Sequence, residues 1–204
     1  MARRDRRLEV MQAAEALFTS RRYHEITTDD IAKAARVGKG TIYRYFADKD
    51  ALFFQVALSG FDELCDLLQR KVPERAPFAE QLLRACGEIT RFFDHRRQLF
   101  RMMLAEENRM HARRVPLRER WLERRKKLVA AVSIIIQEGV EERQIRPDVQ
   151  CDVLANYLLG MLRTRARDLE DAPEPMRRLE LIIELFLGGA GGARVPGRPG
   201  GASG

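Results

Sequence analysis

Apolar residues recur at helical spacing along almost the whole chain, and no stretch alternates with period two over the length of a strand. This pattern constrains the fold class to all-α. At 204 residues and 45% apolar content the chain can build one extended or two small domains with a core of their own. Period, caps and stop signals predict about nine helices, over 4–20, 27–35, 39–46, 48–71, 78–93, 96–107, 117–143, 148–168 and 175–187. From Gly188 to Gly204 eight of seventeen residues are glycine, with Pro196 and Pro199 among them, which predicts a disordered tail.

Composition narrows the chemistry. Cys65, Cys86 and Cys151 are an odd, widely spaced set inside apolar helical patterns, as expected of reduced thiols. His24, His95 and His111 stand at no metal-ligand spacing, and no ordered catalytic triad or phosphate loop occurs, so no metal, no cofactor and no enzymatic activity are expected. The alternative from that class is a helical enzyme using Cys86, His95, Glu106 or Glu107. No apolar run reaches the roughly 20 residues of a membrane span, and Arg3, Arg4, Arg6 and Arg7 are followed by an amphipathic stretch where a signal peptide would have its apolar core; a cytoplasmic protein is expected. The net charge of +7 suggests an anionic partner, diluted by 30 interspersed acids.

Placement of charge says more than its sum. The segment from Thr27 to Phe46 reads as two helices of about two turns joined by Arg36-Val37-Gly38, behind a longer supporting helix. Thr27 and Asp30 have the spacing of a capping box at the start of the first of the pair. In the supporting helix Leu8, Met11, Ala14, Leu17 and Phe18 share a face, against which Ile31, Ala34, Ala35, Val37, Ile42 and Phe46 would close a small core. Left outside are Lys39, Gly40, Thr41, Tyr43, Arg44 and Tyr45, rich in donors and free of acids. A major groove about 12 Å wide admits one such helix when a second crosses behind it.

The run from Gly38 to Leu52, GKGTIYRYFADKDAL, closely resembles the reader signature of the tetracycline-repressor (TetR) family, with Ala13-Ala14, Leu17-Phe18, Tyr23, Thr27-Thr28, Ile31-Ala32 and Ala35 in family order upstream. The resemblance covers about fifty residues; beyond them only length, helix count and helical character agree. It implies an N-terminal three-helix helix-turn-helix domain (1–48), a C-terminal helical ligand-binding and dimerisation domain (49–187), and the tail (188–204). It assigns base-edge and adjacent backbone contacts to Lys39, Gly40, Thr41 and Arg44, and phosphate contacts to Tyr43, Tyr45, Lys49 and Thr28. The arginine arm would add a nonspecific or minor-groove contact. Two positions depart from the family, which commonly has glycine where Arg36 stands and serine or threonine where Gly38 stands. A left-handed Arg36 would store about 1 kcal/mol.

In the same terms the fourth helix is a lever between the domains, and the chain is a repressor released by an unknown small-molecule inducer. The alternative is a ligand-independent DNA-binding regulator or activator. Helices five to seven carry Phe78, Leu82, Leu83, Cys86, Ile89, Phe92, Phe93, Phe100, Met103, Leu104, Trp121 and Leu122, enough for a cavity, although such a stripe is more often plain core. Candidate ligand residues are Cys86, Arg91, Phe92, His95, Met103, Trp121 and Asn156, with Glu106, Asn108 and Arg163 as further polar candidates. Apolar excess on the last two helices predicts a homodimer, hence a pseudo-palindromic double-stranded operator with readers about 34 Å apart or a multiple of it. Gly160 there either permits close helix approach or is a packing glycine. Nine basic residues against Glu119 and Glu123 between Arg109 and Lys127 form a solvated face, a second nucleic-acid surface or an acidic-ligand entrance.

Overall fold

The structure is a computed structural model and describes residues 5–96 and 115–190. The described residues form nine α-helices: α1 (Arg6–Ser20), α2 (Thr28–Ala34), α3 (Lys39–Tyr45), α4 (Lys49–Lys71), α5 (Phe78–His95), α6 (Val115–Glu141), α7 (Cys151–Arg167), α8 (Glu174–Arg177) and α9 (Leu179–Ala190), with a 3₁₀ turn at Tyr23–Glu25. The all-α expectation holds among them. The helix predicted over 96–107 lies outside the described residues apart from Arg96, and so does most of the predicted tail.

Two cores organise the chain. The first joins Val10, Met11, Ala14 and Phe18 of α1 with Ile26, Ile31, Ile42 and Phe46, and is completed by Leu52, Phe53, Phe54, Val56 and Ala57 of α4. Phe53 stands edge to face with Phe18 and with Tyr23 at 5.2 Å between centroids, and Phe18 and Tyr23 are tilted to each other at 5.8 Å. Leu8 does not join them: it is 50% exposed, and the buried face of α1 runs through Val10, one residue round the helix from the predicted stripe. Ala34 is exposed as well, at the last turn of α2. The second core joins the far half of α4 to α5, α6, α7 and α9. Serving both cores explains why α4 is buried nearly all round between Leu52 and Phe61.

Local chemistry ends the elements. Asp5 caps α1, Asp48 caps α4 by accepting from the Ala51 amide at 2.7 Å, and the predicted capping box opens α2: Thr27 Oγ1 accepts from the Asp30 amide, and the Asp30 carboxylate accepts from the Thr27 amide at 2.8 Å. At the other end of α2, Arg36 donates its amide to Lys33 and Val37 donates to Ala32, the paired bonds of a Schellman motif. Arg36 has φ 55°, the left-handed conformation that glycine adopts freely. Arg36→Gly should therefore raise stability by roughly 0.5–1 kcal/mol, net of glycine's greater freedom in the unfolded chain. The check is thermal unfolding, with a rise of about 1–4 °C expected; a fall would mean that the arginine side chain compensates for its backbone.

The single helix predicted over 175–187 is two helices. Arg178 is extended at φ −64°, ψ 145°, because the preceding carbonyl, that of Arg177, accepts from Arg165 Nε at 2.6 Å while the same guanidinium pairs with Asp94 at 3.0 Å. The last helix also passes the predicted stop at Leu187 and runs through Gly188 and Gly189 to Ala190, which is buried and whose carbonyl accepts from the Arg146 amide. Among the described residues no helix is long and apolar enough to cross a membrane.

Candidate nucleic-acid interface

Helix α3 is held by its two apolar residues. Ile42 and the following Phe46 are 1% and 3% exposed in the first core, so the rest of the helix faces outward. Lys39, Gly40, Tyr43, Arg44 and Tyr45 are exposed and Thr41 is half-buried, so six predicted contact residues share one surface. Thr28 opens α2, whose first turn also carries Asp29 and Asp30. A Cβ on Gly40 would meet nothing within 4 Å, so its value in this position is the room it leaves on the outer side. Gly38 caps α3 without a side-chain bond.

The outward groups are already ordered. Arg44 donates to the Tyr45 hydroxyl at 2.9 Å and its guanidinium lies 4.9 Å from that ring centroid. Lys39 Nζ is 3.0 Å from Asp29 of α2, and this carboxylate, as hydrogen-bond partner and as charge, raises the lysine pKa above its ordinary value. Within the arginine arm, Arg7 donates to Gln55 of α4 at 3.1 Å and lies over the Phe46 ring, whereas Arg3 and Arg4 fall outside the described residues.

Lys49 has a role that its motif position did not suggest. Its ammonium donates to the carbonyls of Tyr23 and Ile26 at 2.9 and 2.8 Å and sits 4.0 Å from the Tyr23 ring centroid. Desolvation there pulls its pKa down, opposed by Asp50. The lysine ties the connector between α1 and α2 to the start of α4, and the Tyr23 hydroxyl reaches Asp50 on the same side.

The candidate ligand residues are scattered. Cys86 and Phe92 are buried in the second core, and burial pushes the Cys86 thiol up to about 12, which suits an inert packing group. Cys65 and Cys151 are also free thiols. Trp121 stands edge to face with Phe61 at 4.6 Å. Arg91 lies on the outside with Arg70, Lys71 and Arg84 along an open groove of about 590 Å³ between the end of α4 and α5. His95 and Arg163 are exposed, and Asn156 faces outward from α7 and accepts from Arg125 at 3.0 Å. Met103, Glu106 and Asn108 lie outside the described residues, as does the first half of the basic segment. In its second half Arg120, Arg125, Lys126 and Lys127 are exposed and Arg124 pairs with Asp62 at 3.3 Å.

Comparison with known proteins bears on this surface directly. Residues 10–56 match the family described as bacterial regulatory proteins, tetR family, a span that covers the first core and the whole of α3. Over 187 residues the chain is 27% identical to a helix-turn-helix transcriptional regulator of Bacillus subtilis, covering 90% of this chain and 95% of that one. It is 25% identical over 181 residues to a helix-turn-helix transcriptional repressor of Mycobacterium tuberculosis, covering 88% and 90%. In fold it resembles the transcriptional regulator FadR of Bacillus subtilis, solved in complex with stearoyl-CoA, with a TM-score of 0.68, 19% identity and coverage of 89% and 98%. A closed helix-turn-helix core with an outward, acid-free third helix, matched over residues 10–56 by the tetR family and over nearly the whole length by regulators, makes this chain a DNA-binding transcriptional regulator with a tetR-type reader domain.

Proposed function

We propose that the protein is a cytoplasmic homodimeric repressor that binds a pseudo-palindromic operator through α3 and leaves it when an inducer occupies the C-terminal domain. The observation that carries the DNA side is the exposed face of α3. In this reading Lys39, Thr41 and Arg44 address base edges and neighbouring backbone, and Gly40 allows the approach. Tyr43, Tyr45 and Thr28 hold phosphates; Lys49, with two of its three donors committed, keeps one for the same purpose.

Dimerisation is supported by what α7 and α9 leave uncovered. Tyr157 is 67% exposed, and Val153 and Leu185 are exposed with it, although both helices also bury a full stripe in the core. Two-fold pairing on this side would set two readers on one face of the duplex. A Cβ on Gly160 meets nothing within 4 Å among the described residues, which leaves its position open to a partner helix. Domain limits follow the cores: a reader closed by the first turns of α4, and a regulatory body from there to the end of α9.

The inducer side is supported by fold and by the repressor among the relatives. FadR of Bacillus subtilis was solved with stearoyl-CoA, so long-chain acyl thioesters are the first compounds to try. Gel-shift titration with the DNA flanking the protein's own gene should give a specific band that such a compound releases, and sedimentation of the free protein should give a dimer. A thermal-shift screen separates this reading from a ligand-independent regulator, since a compound at 100 times its Kd adds about 2.7 kcal/mol to stability. A specific band that no compound releases or stabilises supports the ligand-independent alternative.

A further inference from the structure

Arg96 follows α5 as its C-cap and is 7% exposed, although it is neither in the reader nor among the residues a motif would select. Its Nε donates to Glu15 of α1 at 2.5 Å and its Nη2 donates to Glu63 of α4 at 2.6 Å. The guanidinium also lies 4.5 Å from the Phe92 ring centroid. One planar fork thus grips the supporting helix of the reader, the lever helix and the regulatory body at once. Both carboxylates and burial bear on the guanidinium, and the net effect holds its charge more firmly than in water. Aromatic packing surrounds the grip: Phe61 stands edge on to Phe92 and to Trp121, and Trp121 packs against both cores.

We propose that Arg96 is a positioning residue for operator recognition, setting the angle of the reader on the regulatory body and with it the spacing of the two recognition helices in the dimer. It touches no DNA in this role. Without the guanidinium, Glu15 and Glu63 face each other as like charges and the tie from reader and α4 to the end of α5 is gone, so the reader with the start of α4 takes a range of angles on the regulatory body. Each α3 still fits a groove; what is lost is the fixed distance between two of them. The inference rests on the dimeric, two-half-site reading given above.

The test uses the full chain and an operator selected by the wild-type protein from a random duplex pool. Affinities are measured for that operator, for versions with the half-sites moved one or two base pairs closer or further apart, and for a duplex with a single half-site. Arg96→Gln should hold the single half-site about as well as wild type, while its preference for the selected spacing falls about fivefold or more, the size usual for coupling between sites. Arg96→Lys, which serves one carboxylate at a time, should fall between the two. A role confined to stability would lower the melting temperature and weaken all duplexes alike, leaving the spacing preference where it was; that result, or an unchanged Arg96→Gln, overturns the inference. Should Arg96→Gln fail to fold, Glu15→Gln decides in its place, because that side chain is 27% exposed and its loss removes one arm of the grip; an unchanged preference there overturns the inference as well. Indifference of the wild-type protein to spacing would overturn the two-half-site reading, and with it the role assigned here, whereas failure of the inference alone shows only in the variants.

Discussion

Replacing Tyr43 and Arg44 together by alanine abolishes the specific band in a gel shift and leaves the melting temperature within about 1 °C of wild type. The stability half of this expectation comes from exposure. Tyr43 is 49% exposed, and Arg44 is exposed with its described partner, Tyr45, on the same surface, so neither contributes to the core closed by Ile42 and Phe46. Surface substitutions of this kind stay within about 0.5 kcal/mol. The binding half comes from multiplicity. An arginine bidentate to a guanine contributes about 1–3 kcal/mol per site, and a dimer uses it twice, so Arg44 alone represents a loss of roughly 30-fold to 10⁴-fold before Tyr43 is counted. Circular dichroism and the gel shift on the same preparation check it. Specific binding that survives the double change would remove α3 from the interface.

Gly139→Val should lower stability by about 3 kcal/mol or more, a fall of roughly 6–12 °C in melting temperature. A Cβ at this position of α6 would stand 2.7 Å from the Phe78 ring and 2.8 Å from Ile145 Cγ1. Neither neighbour can yield: Phe78 is fully buried at the start of α5 and Ile145 is 1% exposed in the same core. The junction is held by further bonds that shift with it. The Gly139 carbonyl accepts from Gln144 and Ile145 to close α6, and Glu142, three residues on, accepts from the Phe78 amide and so caps α5 from a distance of 64 residues in the chain. Gly160→Ala is the contrast, since its Cβ meets nothing within 4 Å among the described residues and alanine is the better helix former by about 1 kcal/mol. Thermal unfolding of the pair separates close packing from loss of glycine as such. A Gly139→Val protein that melts like wild type would refute the contact between α5 and α6.

What could be read in advance was local. The capping box of Thr27 and Asp30, the cap at Asp48 and the outward run on α3 each depend on residues within one or two turns of each other, where spacing alone dictates which side chains meet. Arg36 was legible only through the resemblance, which puts glycine at its position and so implies the left-handed backbone found there. The regulatory body was legible as apolar stripes and no further. Cys86, Arg91, Trp121 and Asn156 have similar helical surroundings in the sequence, yet one is core, one lines an outer groove, one joins two cores and one faces outward. Their fates are set by helix crossings, and the partners of Arg96 are 81 and 33 residues away. Arg165, whose bond to Arg177 breaks the last helix in two, is the same kind of long reach. Lys49 shows the limit even inside a strong motif: its carbonyl partners lie 23 and 26 residues back, in a connector that no period predicts.

The pair between Lys39 and Asp29 has a consequence for how this regulator meets changes in ionic strength. A lysine that binds a phosphate normally displaces a condensed cation from the duplex, and each such release steepens the fall of affinity with salt. Here the lysine brings its own anion. A phosphate that took the place of Asp29 would first have to break this ion pair, which offsets part of what counterion release contributes. If Lys39 meets the operator as proposed, the salt dependence it adds is smaller than that of a lysine with no carboxylate beside it.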